Sequence, residues 1–180
     1  MGLYIPFFYI QYYSIATGIT DGNLGFYLLA ILNSASVFGR IIPNFIADTT
    51  GPLNIIIPCA FITGLLTICM IAIHSVAGIV MFAILYGFFS GTFVSLPPTI
   101  FVHLSPNRGM IGTRMGMGFA MISIGALVGA PIGGAILNSK DNGSYFPGLW
   151  IFSGLTVIAA GSFFIFARMF KANWKLMVKA

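Results

Sequence analysis

Residues 24–47 read LGFYLLAILNSASVFGRIIPNFIA, and this stretch decides the fold. It is apolar for longer than the ~20 residues a helix needs to cross a bilayer core, yet it holds Arg40. A charge at the centre of a span costs roughly 2.5–3.5 kcal/mol on insertion scales, so charged residues there are rare unless they face a polar cavity or a ligand. The polar neighbours of Arg40 share its side of the helix. Asn33, Ser36, Arg40 and Asn44 follow at intervals of three, four and four residues, which at ~100° per residue confines them to one narrow face. An apolar span with a single polar stripe is the pattern of a wall along an aqueous pathway. The stripe ends at Asp48, on the same side, where the apolar run ends.

The rest of the chain repeats the apolar pattern. Of 180 residues, 58% are hydrophobic and 6% charged, with mean hydropathy +1.01; a soluble domain carries about 25% charge. Apolar runs at 2–18, 24–47, 54–73, 76–103, 111–137 and 147–168 are separated by short connections rich in turn residues, such as Asp48-Thr49-Thr50-Gly51-Pro52. These runs predict an all-α integral membrane protein with six transmembrane helices in one bundle. A lipid-facing barrel would instead alternate polarity over about ten residues per strand. The first run is short and has no charged lead-in, and it reads as a truncated helix in a fragment of a longer protein.

Charge sets the expected orientation. Arg108, Arg114, Arg168, Lys171, Lys175 and Lys179 fall on one side of the predicted bundle, against Lys140 on the other. Lys and Arg in short loops favour the cytoplasm, so both termini are expected inside, with the plasma membrane as the expected location. The net charge of +5 comes largely from this bias. It fits contact with anionic lipid head groups, and no basic stripe interleaved with aromatics points to nucleic acid. Asn142-Gly143-Ser144 is a glycosylation sequon in a loop expected outside; a chance match is the plainer reading. Cys59 and Cys69, ten apart on one span, are about 15 Å apart along its axis, too far for a disulfide. No metal-ligand spacing and no cofactor motif is present. An enzyme is not expected: three acidic residues do not pair within a span, and Ser90 is about 20 Å from His103 along one helix, out of reach of a base.

Small residues crowd the fifth run. Gly112/Gly116 and Gly125/Gly129/Gly133 are four apart, as are Gly87 and Gly91 on the fourth, a spacing that lets helix backbones approach closely. Pro131 removes a backbone hydrogen bond among these glycines, which predicts a hinge; plain close packing explains the glycines alone equally well. On the fourth run Tyr86, Ser90, Phe93 and Pro97 share one face, suiting a mixed polar and aromatic wall. Pro97-Pro98 would break that helix locally.

These residues carry a family resemblance. The run Gly116…Gly125-x-x-x-Gly129-Ala130-Pro131-Ile132-Gly133-Gly134 resembles the Gly-Pro-rich helix of the major facilitator superfamily, with Pro131 one position late. Asp48 and Gly51 keep two residues of that superfamily's cytoplasmic loop signature, without its basic residues. Three stretches, 2–11, Ser36 to Pro43 and Ile111 to Met117, resemble the fungal branch of the monocarboxylate transporter family. The resemblance implies the C-terminal six-helix half of a twelve-helix fold, partnered by an N-terminal six-helix half, and secondary transport of a small carboxylate by alternating access. It also implies roles. Arg40 matches the helix-eight arginine that binds the substrate carboxylate. Ser36 stands where animal members carry an aspartate linked to proton coupling, so coupling through this helix is in question. Phe93 matches a pocket aromatic and Gln11 a pocket-lining polar position, with Asn33 on the Arg40 face. The competing expectation is a non-transporting membrane sensor or assembly protein that keeps the fold.

Overall fold

The computed structural model describes residues 2–104, 108–139 and 145–171; the sequon at Asn142, Lys140 and the basic residues Lys175 and Lys179 lie outside them. Six α-helices run up and down: α1 (Ile5–Ala16), α2 (Gly22–Thr50), α3 (Pro52–Cys69), α4 (Val76–Leu104), α5 (Ile111–Leu137) and α6 (Phe146–Lys171). Short 3₁₀ turns precede α1 at Gly2–Tyr4, extend α3 at Met70–Ala72 and precede α5 at Arg108–Met110. Among the described residues, five helices are long and apolar enough to cross a membrane. The exception is α1, whose 12 residues reach only about 18 Å.

Local chemistry sets several boundaries. Pro52 opens α3, where its missing N–H costs nothing. The α2–α3 turn shrinks to Gly51, whose φ of +98° is open to glycine and strained for any residue with a Cβ. Helix α2 runs through Thr50 before that turn, so Asp48 sits exposed in its last turn and not in a loop. Helix α4 runs on through Pro97 and Pro98 to Leu104, contrary to the break expected there. Leu96 and Ile100, on either side of the pair, are buried in a core cluster with Ala47, Leu53 and Ile56, and that packing holds the helical path where the two N–H groups are missing.

The helices associate mainly as two pairs, α2 with α4 and α3 with α6. A larger core joins α1, α2, α4 and α6 around Ile10, Tyr13, Leu28, Leu32, Tyr86 and Trp150. Tyr13 stands edge-on to Trp150, with ring centroids 5.5 Å apart, and donates its hydroxyl to Ile73 O at 3.1 Å. The 3₁₀ turn at the N-terminal end is tied in the same way: Tyr86 donates to Leu3 O and Ser153 to Gly2 O, each at 2.6 Å. These bonds satisfy carbonyls that have no water to turn to in an apolar bundle. They also change the reading of the α4 face. Tyr86 and Ser90 are buried, and Ser90 bonds Gly87 O, so that part of the face is packed interior; Phe93 and Pro97 are half-buried.

Candidate substrate site on the second helix

The α2–α4 contact fixes which side of α2 is open. Gly39 lies against the backbone of α4: a Cβ there would collide with the Phe88 carbonyl. Gly91 meets the Ser36 backbone in the same way, with its carbonyl 2.5 Å from a Cβ placed on Gly91. Leu28, Leu32, Ser36, Gly39, Pro43 and Ala47 are therefore the buried face of α2. Arg40 is one residue on from Gly39, about 100° around the helix, and is exposed. It is ten residues from Thr50, about 15 Å inside the helix end.

Among the described residues the Arg40 guanidinium has no hydrogen-bond or ion-pair partner, and Asp48, two turns on, does not pair with it. The flanking asparagines are turned partly inward. Asn33 donates its side-chain amide to Leu29 O and Asn44 donates to Arg40 O, both at 2.9 Å. Asn33 remains exposed, with its second N–H and its Oδ1 available. Asn44 Oδ1 is buried and unpartnered. The stripe thus offers five N–H donors of a planar cation, with amide groups a turn or two away.

The other residues singled out from the sequence are not all gathered here. Ser36 is buried, its backbone against Gly91, and its hydroxyl donates back into α2, to Asn33 O at 2.8 Å. Phe93 is about 200° around α4 from Gly91. It packs on the cluster of Ala47, Leu53, Ile56, Leu96 and Ile100, where α2, α3 and α4 meet near the α2–α3 turn. Gln11 is half-buried on α1, where its carbonyl accepts from Ser14. Gly51 makes the α2–α3 turn. On α5, Gly129 and Gly133 are buried, Gly125 is half-buried and Pro131 is exposed. Gly133 meets Leu149 and Tyr9, and the Tyr9 hydroxyl reaches Ala130 O at 3.5 Å, beside Pro131. Gly112 and Gly116 have open space where a Cβ would stand.

The aromatic pair at the level of Arg40 is Phe88 and Phe89, edge to face at 5.3 Å, with the Phe88 backbone against Gly39. The doublet beside Ser90-Gly91 was a usable signal, because Gly91 at a helix contact places its neighbours beside the partner helix. A second feature, a cavity of about 180 Å³ at the opposite end, is walled by Tyr13, His74, Phe146 and Trp150 and uses none of the α2 stripe.

Similarity to known proteins extends over nearly all of these elements. The "MFS-type transporter dbaD" of Emericella nidulans is 48% identical over 161 residues, which cover 89% of this chain and 36% of that protein. The chain is homologous to MFS-type transporters. The same organism's "Aspyridones efflux protein apdF" is 38% identical over 94% of this chain and 34% of its own length. The "Agnestins efflux protein AgnL12" of Paecilomyces divaricatus is 39% identical over 100% of the chain and 40% of its own length. These relatives are named as transporters or efflux proteins and not as enzymes. The chain spans roughly two fifths of their length or less. No family model matches it, and no solved structure matches it.

Proposed function

We propose that these six helices form one half of a secondary transporter that exports an organic anion of the monocarboxylate class, with Arg40 holding the carboxylate. The observation that carries this reading is the guanidinium on an open face of α2, well inside a span and without a partner among the described residues. A buried or membrane cation without an internal partner demands an external one, and a planar fork matches a carboxylate in two-pronged fashion. Asn33 and Gln11 would add hydrogen bonds to the remainder of the substrate, and the Phe88–Phe89 pair would flank its apolar part. Ser36 is assigned to the helix contact, and Phe93 to packing. The efflux named for two relatives supports the outward direction.

The second half of the site needs a second bundle. Helices α2 and α5 have the least cover, with 28% and 17% of their most apolar windows buried. Phe38, Ile41 and Phe45 on α2, and Met121, Ile124 and Leu127 on α5, stand exposed. We assign these faces to a partner six-helix bundle, which would rock against this one around the Arg40 level. Gly125, Gly129, Pro131 and Gly133 would give α5 its bend, and Asp48 with Gly51 the gate-side turn.

The reading places the α1–α2, α3–α4 and α5–α6 ends outside. A cysteine introduced at Ser139 is expected to react with an impermeant maleimide on intact cells, and one at Thr49 only after permeabilisation. The reverse pattern overturns this orientation. The substrate assignment is tested by export of labelled hippurate, an aromatic monocarboxylate, from cells expressing the product of the complete open reading frame or its Arg40→Ala variant.

A further inference from the structure

Pro43 stands four residues after Gly39 in α2. In an unbroken helix the N–H of residue 43 would bond Gly39 O; proline has none to give. The Thr92 hydroxyl of α4 lies 3.3 Å from that same oxygen and donates to it. Thr92 is fully buried. Most Ser and Thr hydroxyls in these spans bond back into their own helix, as Thr63 does to Cys59 O, Thr67 to Thr63 O and Ser36 to Asn33 O, which is the default for Ser and Thr within a helix. Thr92 reaches across instead, at the level where Gly39 lets the α2 and α4 backbones touch.

We propose that Thr92 is a positioning residue: its hydroxyl pins α2 to α4 at the carbonyl left open by Pro43, and so fixes where Arg40, the next residue, points. The proposal rests on the reading of Arg40 as the anion site. Three features coincide within one turn: a missing N–H on α2, a donor on α4 and a glycine that removes the steric barrier between them. A valine at 92 keeps the shape and removes the donor. An alanine at 43 returns an N–H to Gly39 O from within α2 and makes the crossing bond unnecessary for satisfying that carbonyl.

The test combines hydrogen–deuterium exchange over residues 36–47 of the purified full-length protein with hippurate transport. Thr92→Val is expected to speed exchange there and raise the KM for hippurate about tenfold, the scale of one hydrogen bond, with little change in maximal rate. Thr92→Ser keeps the donor and is expected to recover both. In Pro43→Ala/Thr92→Val, exchange is expected to slow again while the KM stays raised, because the restored bond no longer crosses to α4. Unchanged exchange in Thr92→Val overturns the pin. Recovery of both exchange and KM in the double variant overturns the positioning role and leaves only satisfaction of a carbonyl. If Arg40→Ala transports hippurate at the native rate, the anion reading and the positioning role both fail, and exchange alone still decides whether the pin exists.

Discussion

Replacing Arg40 by alanine is expected to reduce hippurate transport by about 10²-fold or more, the scale of losing a desolvated charge pair, while the protein melts no lower than the native form. The two halves of that expectation are linked. The Arg40 side chain is exposed and makes no internal bond among the described residues, so its truncation breaks no contact seen in the bundle. An arginine that braced the helices would behave oppositely, lowering the melting temperature along with transport. Arg40→Lys is expected to lose about tenfold, because a point charge cannot reproduce a planar two-pronged contact. Transport by proteoliposomes and thermal melting in detergent, from the same purified preparations, distinguish these outcomes. Native transport by Arg40→Ala would falsify the substrate role.

The largest effect on stability is expected at Gly39. Alanine there forces its methyl group into the Phe88 carbonyl, a backbone group that cannot swing aside as a side chain would. Overpacking of this kind costs about 1–3 kcal/mol, more than the ~1 kcal/mol that alanine gains over glycine in helix propensity. Gly39→Ala is therefore expected to lower the melting temperature and weaken the α2–α4 pair, the most extensive in the bundle. Gly116→Ala is the control. It is also a helical glycine, but with open space around it, and is expected to be neutral or stabilising. Equal melting of the two variants would show that the close approach at Gly39 does not bind the helices together.

Those two residues also mark what the sequence could and could not reveal. The membrane class and the helical character follow from hydrophobic length, which depends on the chain alone. The Arg40 face follows from periodicity, which is likewise local. Periodicity says which residues of a helix share a side, but not which neighbour that side meets. On that basis Tyr86, Ser90 and Phe93 suit a cavity wall. In the bundle the first two are interior, and Phe93 packs on a cluster shared by α2, α3 and α4. Ser36 was placed with Arg40 from spacing alone, and its 40° offset is enough to bury it against Gly91. The helical path through Pro97-Pro98 was illegible for the same reason: it depends on the burial of Leu96 and Ile100 against α2 and α3. Gly112 and Gly116 carry the spacing of a helix contact but meet nothing in this bundle.

The measurement that tests the central claim most directly is hippurate uptake into proteoliposomes holding the purified product of the complete open reading frame, beside its neutral amide as a competitor. The account predicts saturable uptake above that of empty liposomes, blocked by excess unlabelled hippurate, little affected by the amide, and lost in Arg40→Ala. Uptake that the amide blocks as well as the carboxylate does, with Arg40→Ala as active as the native protein, would contradict it.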